Sequence, residues 1–137
     1  MNIAHYTSRS VLLVLIGITI STLLGGCGSS SPQIPQLRIM NDGAMPIENF
    51  TILFPEDEIS FGNIPANSTS EYLEVPNGVY RYAAYRYTVD GVSFNQPVED
   101  WVGETPLVGS NFTYTINFNS NRSRWEMVKL IDVSIDD

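Results

Sequence analysis

From Phe112 to Phe118 the chain reads Phe-Thr-Tyr-Thr-Ile-Asn-Phe, a strict alternation of apolar and polar residues. A strand sends successive side chains to opposite faces, so a period of two suits a half-buried strand and cannot give a helix one apolar stripe. The same alternation recurs from residue 37 onward. Residues 37–40 make a first strand, closed by Asn41-Asp42-Gly43. Residues 47–54 make a second, with Phe50, Ile52 and Phe54 on one face. Pro55 ends it, because proline cannot donate to a central ladder. Segments 59–61, 69–75, 79–89, 92–94 and 125–135 read the same way, with turn residues between them.

Two local features are sharper. Asp90-Gly91 separates two strand patterns by two residues and fits a type I′ hairpin. Within 125–135 the alternation changes phase near residues 128–131, which predicts a bulge. Residues 95–110, carrying Trp101 between Pro97 and Pro106, read as irregular. The sum is an all-β domain of seven to nine strands. A single antiparallel β-sandwich is the expected architecture, with a small barrel as the alternative.

The N-terminal part follows a different grammar. Residues 1–10 carry Arg9 and no acid, and residues 11–24 are an apolar run without a charge. Fourteen residues fall short of the roughly 20 that a spanning helix needs. They match the order of a secretory signal. The run ends in Leu24-Gly25-Gly26-Cys27, which resembles the lipobox of bacterial lipoproteins: an aliphatic residue, two small residues and a cysteine. The resemblance implies a thioether-linked diacylglycerol on Cys27, cleavage before it and acylation (a palmitate-type chain) of the new amine. Cys27 is the only cysteine in the chain. The expected organisation is a signal peptide over 1–26, a lipidated cysteine and tether over 27–36, and a sandwich over 37–137. The tether is rich in Ser and Pro, a composition that resists helix and sheet. The implied location is extracytoplasmic, lipid-anchored in a bacterial envelope. Gly28, rather than Asp, after the cysteine favours the outer membrane in a host that has one.

Glu71-Tyr-Leu-Glu-Val-Pro76-Asn77-Gly78-Val79-Tyr80 resembles, over about ten residues, the Pro-x-Gly-x-Tyr hairpin of prealbumin-like and collagen-adhesin B-type surface domains. The resemblance implies a prealbumin-like or Ig-like sandwich. It also implies a stalk or binding role.

Beyond residue 26 lie all 15 acids but only six of the seven Lys and Arg residues, so that part is acidic. It lacks the basic stripe that nucleic acid requires, and nucleic acid is not an expected partner. Its membrane contact must come from the N-terminal lipid. The one histidine, His5, and the one cysteine both precede Gly28. A Ser-His-Asp triad, a Cys-His pair and a His/Cys zinc site are therefore excluded from the sandwich. No glycine-rich phosphate loop is present, and no cofactor is expected. Carboxylates remain: Glu56, Asp57 and Glu58 crowd one turn and form a weak Ca²⁺ candidate. The aromatic residues permit a binding face, with Tyr80, Tyr82 and Arg86 at alternate positions of the predicted strand 79–89, and Trp101 nearby. The leading expectation is a non-catalytic envelope module that binds a protein or a glycan. The alternative is a small glycan-acting enzyme built on carboxylates.

Overall fold

A computed structural model describes residues 32–98 and 103–136. The signal-peptide segment, Leu24, Gly25, Gly26, Cys27 and Trp101 lie outside the described residues. The described part is all-β and forms a two-sheet sandwich. Its strands are β1 (Gln36–Asn41), β2 (Ile47–Leu53), β3 (Glu58–Ile64), β4 (Ser68–Thr69), β5 (Leu73–Glu74), β6 (Ala84–Val89), β7 (Val92–Gln96), β8 (Asn111–Phe118) and β9 (Val128–Asp136). One sheet runs β4-β1-β8-β9, with β5 also on β1. The other runs β3-β2-β6-β7.

The alternation sets the core. Leu37 and Ile39 of β1, Phe50 and Ile52 of β2, Tyr85 and Tyr87 of β6, and Phe112, Tyr114 and Ile116 of β8 all point inward and are buried. Their rings interlock: Phe50 stacks on Tyr85 at 5.7 Å, and Phe54 meets Tyr114 edge-on at 6.3 Å. Such pairs contribute about 0.5–1.5 kcal/mol each beyond the area they bury. Burial pushes the Tyr87 hydroxyl up to about 12 and holds Tyr85 and Tyr114 higher still. These phenols stay neutral at any physiological pH.

Three sequence expectations change. The sandwich is not wholly antiparallel: β1 lies parallel to β8, from Gln36↔Asn111 to Asn41↔Ile116. The whole second sheet intervenes between these two strands and supplies the long crossover that a parallel pair needs. The predicted strand 69–75 is two short pairings on β1: the Ser70 N–H still donates to the Ile39 carbonyl at 2.8 Å, but the Ile39 N–H goes to the Ser70 hydroxyl at 2.9 Å instead of a backbone carbonyl, and the regular ladder breaks there. The predicted strand 79–89 begins only at Ala84. Before it, Val79 makes an isolated bridge to Leu107, and the Arg81 and Tyr82 amides turn to the Glu104 carboxylate. That carboxylate replaces a neighbouring strand. Elsewhere the local readings hold. Asp90 and Gly91 take φ of 50° and 73° between Val89 and Val92, as a type I′ turn requires. The bulge in β9 falls at Ile131, which is skipped as Thr115 pairs Asp132 and Ile116 pairs Leu130.

Gly78 has a φ of +92° and is buried against the loop before β8. A Cβ there would stand 2.6 Å from the Pro106 Cβ and 3.1 Å from the Leu107 carbonyl oxygen. Gly78→Ala combines left-handed strain with a clash against backbone, and is expected to cost about 2–3 kcal/mol. Chemical denaturation of the two proteins, with an unchanged m-value, checks it.

Candidate functional site

The β7 and β9 strands are the free edges of the two sheets on the same side of the sandwich. Gln96, at the end of β7, stitches them together. Its Nε2 donates to the Val128 carbonyl at 2.8 Å, and its Oε1 accepts the Val128 N–H at 3.1 Å. β7 ends at this stitch, while β9 runs on past it. Beside β9, beyond the stitch, runs an open groove of about 620 Å³. One wall is β9 from Val128 to Val133, the other is residues 81–85 with Pro97 and Val98, and Arg122 and Trp125 stand at one end.

Local bonding fixes the groove's polar groups. The loop 119–127 closes on itself: the Asn119 N–H donates to the Met127 carbonyl at 2.8 Å, and Glu126 N–H to Ser123 at 2.9 Å. Arg122 Nη1 donates to the Asn117 carbonyl at 3.1 Å, which holds its guanidinium at the mouth. Arg124 lies 5.0 Å over the Trp125 ring, a cation–π contact. Trp125 keeps 52% of its surface exposed, and Tyr82 58%. Glu104, by capping the Arg81 and Tyr82 amides, sets the direction of both side chains.

The charges here are unusual for this chain. Arg81, Arg122 and Lys129 line the groove together with Glu126 and Asp132, and Arg124 adjoins it through its contact with Trp125. None of these four cations forms an ion pair with a carboxylate among the described residues. The ion pairs found there belong to the two other cations, Arg38 with Asp136 and Arg86 with Glu58. Four of the six Lys and Arg residues among the described residues thus gather around one groove without a carboxylate ion pair there.

The predicted binding face is taken apart by the late start of β6. Tyr80 is half-buried against Phe54, ring centres 5.7 Å apart. Tyr82 lines the groove. Arg86 lies on the outer face of the second sheet and pairs with Glu58. Of the three, only Tyr82 belongs to the groove. The acidic turn does not converge either. Asp57 takes the Asn77 N–H and side-chain amide, both at 3.1 Å. Glu58 faces Arg86, and Glu56 is exposed. Among the described residues no three His, Cys, Asp or Glu side chains stand together as a metal cage. The sequence reading missed Arg81, Arg122, Trp125 and Lys129. They are separated by up to 48 positions, and only the turning-in of residues 81–83 and the β8–β9 loop brings them together.

A second polar cluster fastens the outer face of the first sheet. Tyr72 Oη donates to Asp136 Oδ2 at 2.6 Å, Thr113 Oγ1 donates to the same oxygen, and Arg38 Nε donates to Thr113 Oγ1 at 2.8 Å. Arg38 also lies 4.7 Å over the Tyr72 ring. Burial alone would raise the Asp136 carboxyl. The bonds from Thr113 and Tyr72, with the Arg38 charge, outweigh it and hold the group below its ordinary value of 3.8. A depressed carboxyl stabilises the fold above its unfolded value and loses that contribution as pH falls through its folded value. Asp136→Asn is therefore expected to be less stable than the parent at neutral pH and to approach it as pH falls below the ordinary carboxylate range. Thermal unfolding from pH 7 to pH 2 reads the convergence.

A smaller apolar hollow of about 350 Å³ lies between Met45, the β6–β7 hairpin and Phe118. It has no charged group except Asp90.

The fold and groove define an all-β sandwich with an open cleft along one side, lined by charges of both signs and by Trp125 and Tyr82. No family model matches the chain, and no curated protein matches it. Among solved structures it is similar to one described as "NMR structure of the protein from Eubacterium rectale". The identity is 15%, the TM-score 0.49, and the match covers 75% of this chain and 93% of that one.

Proposed function

We propose that the chain is a lipid-anchored, non-catalytic module of a bacterial envelope, and that its sandwich binds a protein or glycan partner through the β7–β9 groove. The observation that carries this reading is the gathering of Arg81, Arg122, Arg124 and Lys129, which have no carboxylate ion pair among the described residues, around a groove beside exposed Trp125. Desolvated arginines and aromatics are the residue types that dominate binding energy at interfaces. The sequence Leu24-Gly25-Gly26-Cys27 supports the anchor. The chain enters the sandwich beside β5 and the end of β9, with the Val75 N–H on the Pro35 carbonyl. The loop 119–127 lies at the other end of the first sheet. A tether leaving at Pro35 thus carries the Arg122–Trp125 end of the groove away from the membrane.

Two variants of the full chain test the two halves of the reading. Cys27→Ser is expected to accumulate as an uncleaved, unlipidated precursor; normal lipidation would remove the anchor. A double variant, Arg122→Ala with Trp125→Ala, is expected to stay lipidated but lose co-purifying envelope material. Equal loss from Arg86→Ala, on the outer face of the second sheet, would remove the groove.

A further inference from the structure

We infer that Asn77 is a latent modification site: the folded sandwich holds the Asn77–Gly78 link in a geometry that cannot cyclise, and opening of that turn releases it to deamidate. Asn77–Gly78 is the one Asn-Gly pair in the chain. Glycine has no Cβ, so nothing hinders the approach of its nitrogen to the preceding side chain. In the reaction the Gly78 nitrogen attacks Asn77 Cγ, and the Cγ–Nδ2 bond breaks. The side-chain nitrogen takes up the Gly78 amide proton and leaves as ammonia. Water then opens the five-membered imide at either carbonyl. An aspartate at position 77 or its β-linked isomer results, with one water consumed, one ammonia released and no redox change.

Asn77 is exposed, so water reaches it. Three restraints in the fold nevertheless oppose the first step. The Gly78 N–H donates to the Val75 carbonyl at 3.0 Å, which closes a β-turn over residues 75–78. Asn77 keeps a negative φ at the third position of that turn, so the turn is type I with ψ of about 0° there. At that ψ the Gly78 nitrogen eclipses the Asn77 backbone nitrogen. Ring closure needs it on the Cβ side instead, a third of a turn away about the Cα–C bond. The swing is blocked beyond Gly78, because Val79 and Leu107 exchange both backbone hydrogen bonds, at 3.0 and 2.8 Å. The third restraint is Asp57. Its carboxylate takes the Asn77 side-chain amide and the Asn77 N–H, both at 3.1 Å, and so fixes the group that must be attacked. Asp57 is itself held in place, its carbonyl accepting the Phe54 N–H at 2.8 Å.

The native turn does not accept the products. An aspartate at position 77 replaces the donor to Asp57 with a second carboxylate, a like-charge pair at hydrogen-bonding range. The β-linked isomer inserts a main-chain methylene just before Gly78. Gly78 is packed so closely that even a Cβ on it would stand 2.6 Å from the Pro106 Cβ. The mark therefore accumulates on chains that have opened at this turn, and refolding does not erase it.

The test incubates the full chain in a neutral detergent at mildly alkaline pH, either folded or unfolded in guanidinium chloride. Peptide mass mapping follows the conversion of amide to acid at position 77. The folded chain is expected to react at least ten-fold more slowly than the unfolded one. Asp57→Ala should speed the folded reaction five-fold or more and leave the unfolded rate unchanged. Gln96→Leu, which breaks the stitch to Val128 far from this turn, should speed it less than Asp57→Ala does. Chains that reacted while unfolded should refold with a lower denaturant midpoint than the parent. Folded and unfolded rates within two-fold of each other overturn the inference. So does a gain from Asp57→Ala no larger than that from Gln96→Leu, which would make the protection global. A modified chain that refolds with the parent's midpoint overturns the rejection of the product by the turn.

Discussion

Asn41→Asp is expected to be among the most destabilising single-atom changes in the sandwich, at about 4 kcal/mol near neutral pH. Asn41 is completely buried at the end of β1. Its Nδ2 donates toward three carbonyls, Met45 at 2.8 Å, Pro65 at 3.1 Å and Ile64 at 3.3 Å. Its Oδ1 accepts the Gly43 N–H at 3.0 Å. One amide therefore ties the β1–β2 turn to the β3–β4 turn and holds the two sheets together at that end. Replacing the amide nitrogen by a carboxylate oxygen points negative charge at three carbonyl dipoles in a completely buried site. Breaking such a buried network costs several kcal/mol. The introduced carboxyl would bind its proton more tightly folded than unfolded. Its stability contribution is thus best preserved at low pH and lost as pH rises. Denaturant midpoints at pH 4 and pH 7 should show the larger gap from the parent at pH 7. A constant gap would mean that the carbonyl cluster is not what makes Asn41 necessary.

Gln96→Leu is the second large effect, expected at about 2–4 kcal/mol. Leucine fills a similar volume but pairs with neither group of Val128. It leaves a buried N–H and a buried C=O unmatched, each worth about 1–3 kcal/mol, and it removes an acceptor from the Tyr87 hydroxyl at 3.3 Å. Because this contact joins the two sheets along their free edges, the loss should also be local. The Val128 amide is expected to exchange its hydrogen much faster than those of the central strand β8. Uniform acceleration across both strands would mean that Gln96 acts only through global stability.

The elements that the sequence located are those whose physics is local. The inward residues of β2 and β8 follow from a period of two. The Asp90-Gly91 hairpin follows from the two positive φ values that glycine and aspartate tolerate, and the β9 bulge follows from a break in the alternation. What the sequence did not reveal depends on partners far along the chain. The apolar pattern of residues 79–83 is as strand-like as that of 84–89. Yet Glu104 binds its amides and turns it aside, so Tyr80 and Tyr82 part company with Arg86. The parallel register of β1 on β8 joins residues about 75 positions apart and has no local signal. The groove is illegible for the same reason. Arg81, Arg122 and Lys129 look like ordinary surface charges until the Gln96 contact to Val128 joins the two sheets and brings their segments to one groove.

The most direct test of the groove as the binding surface is in-cell photo-crosslinking of the full chain. One photoreactive residue is placed at Trp125 or, separately, at Thr69 on the opposite edge of the first sheet. The account predicts a discrete envelope adduct from position 125 and none from position 69. An adduct from position 69 with none from position 125 would contradict it.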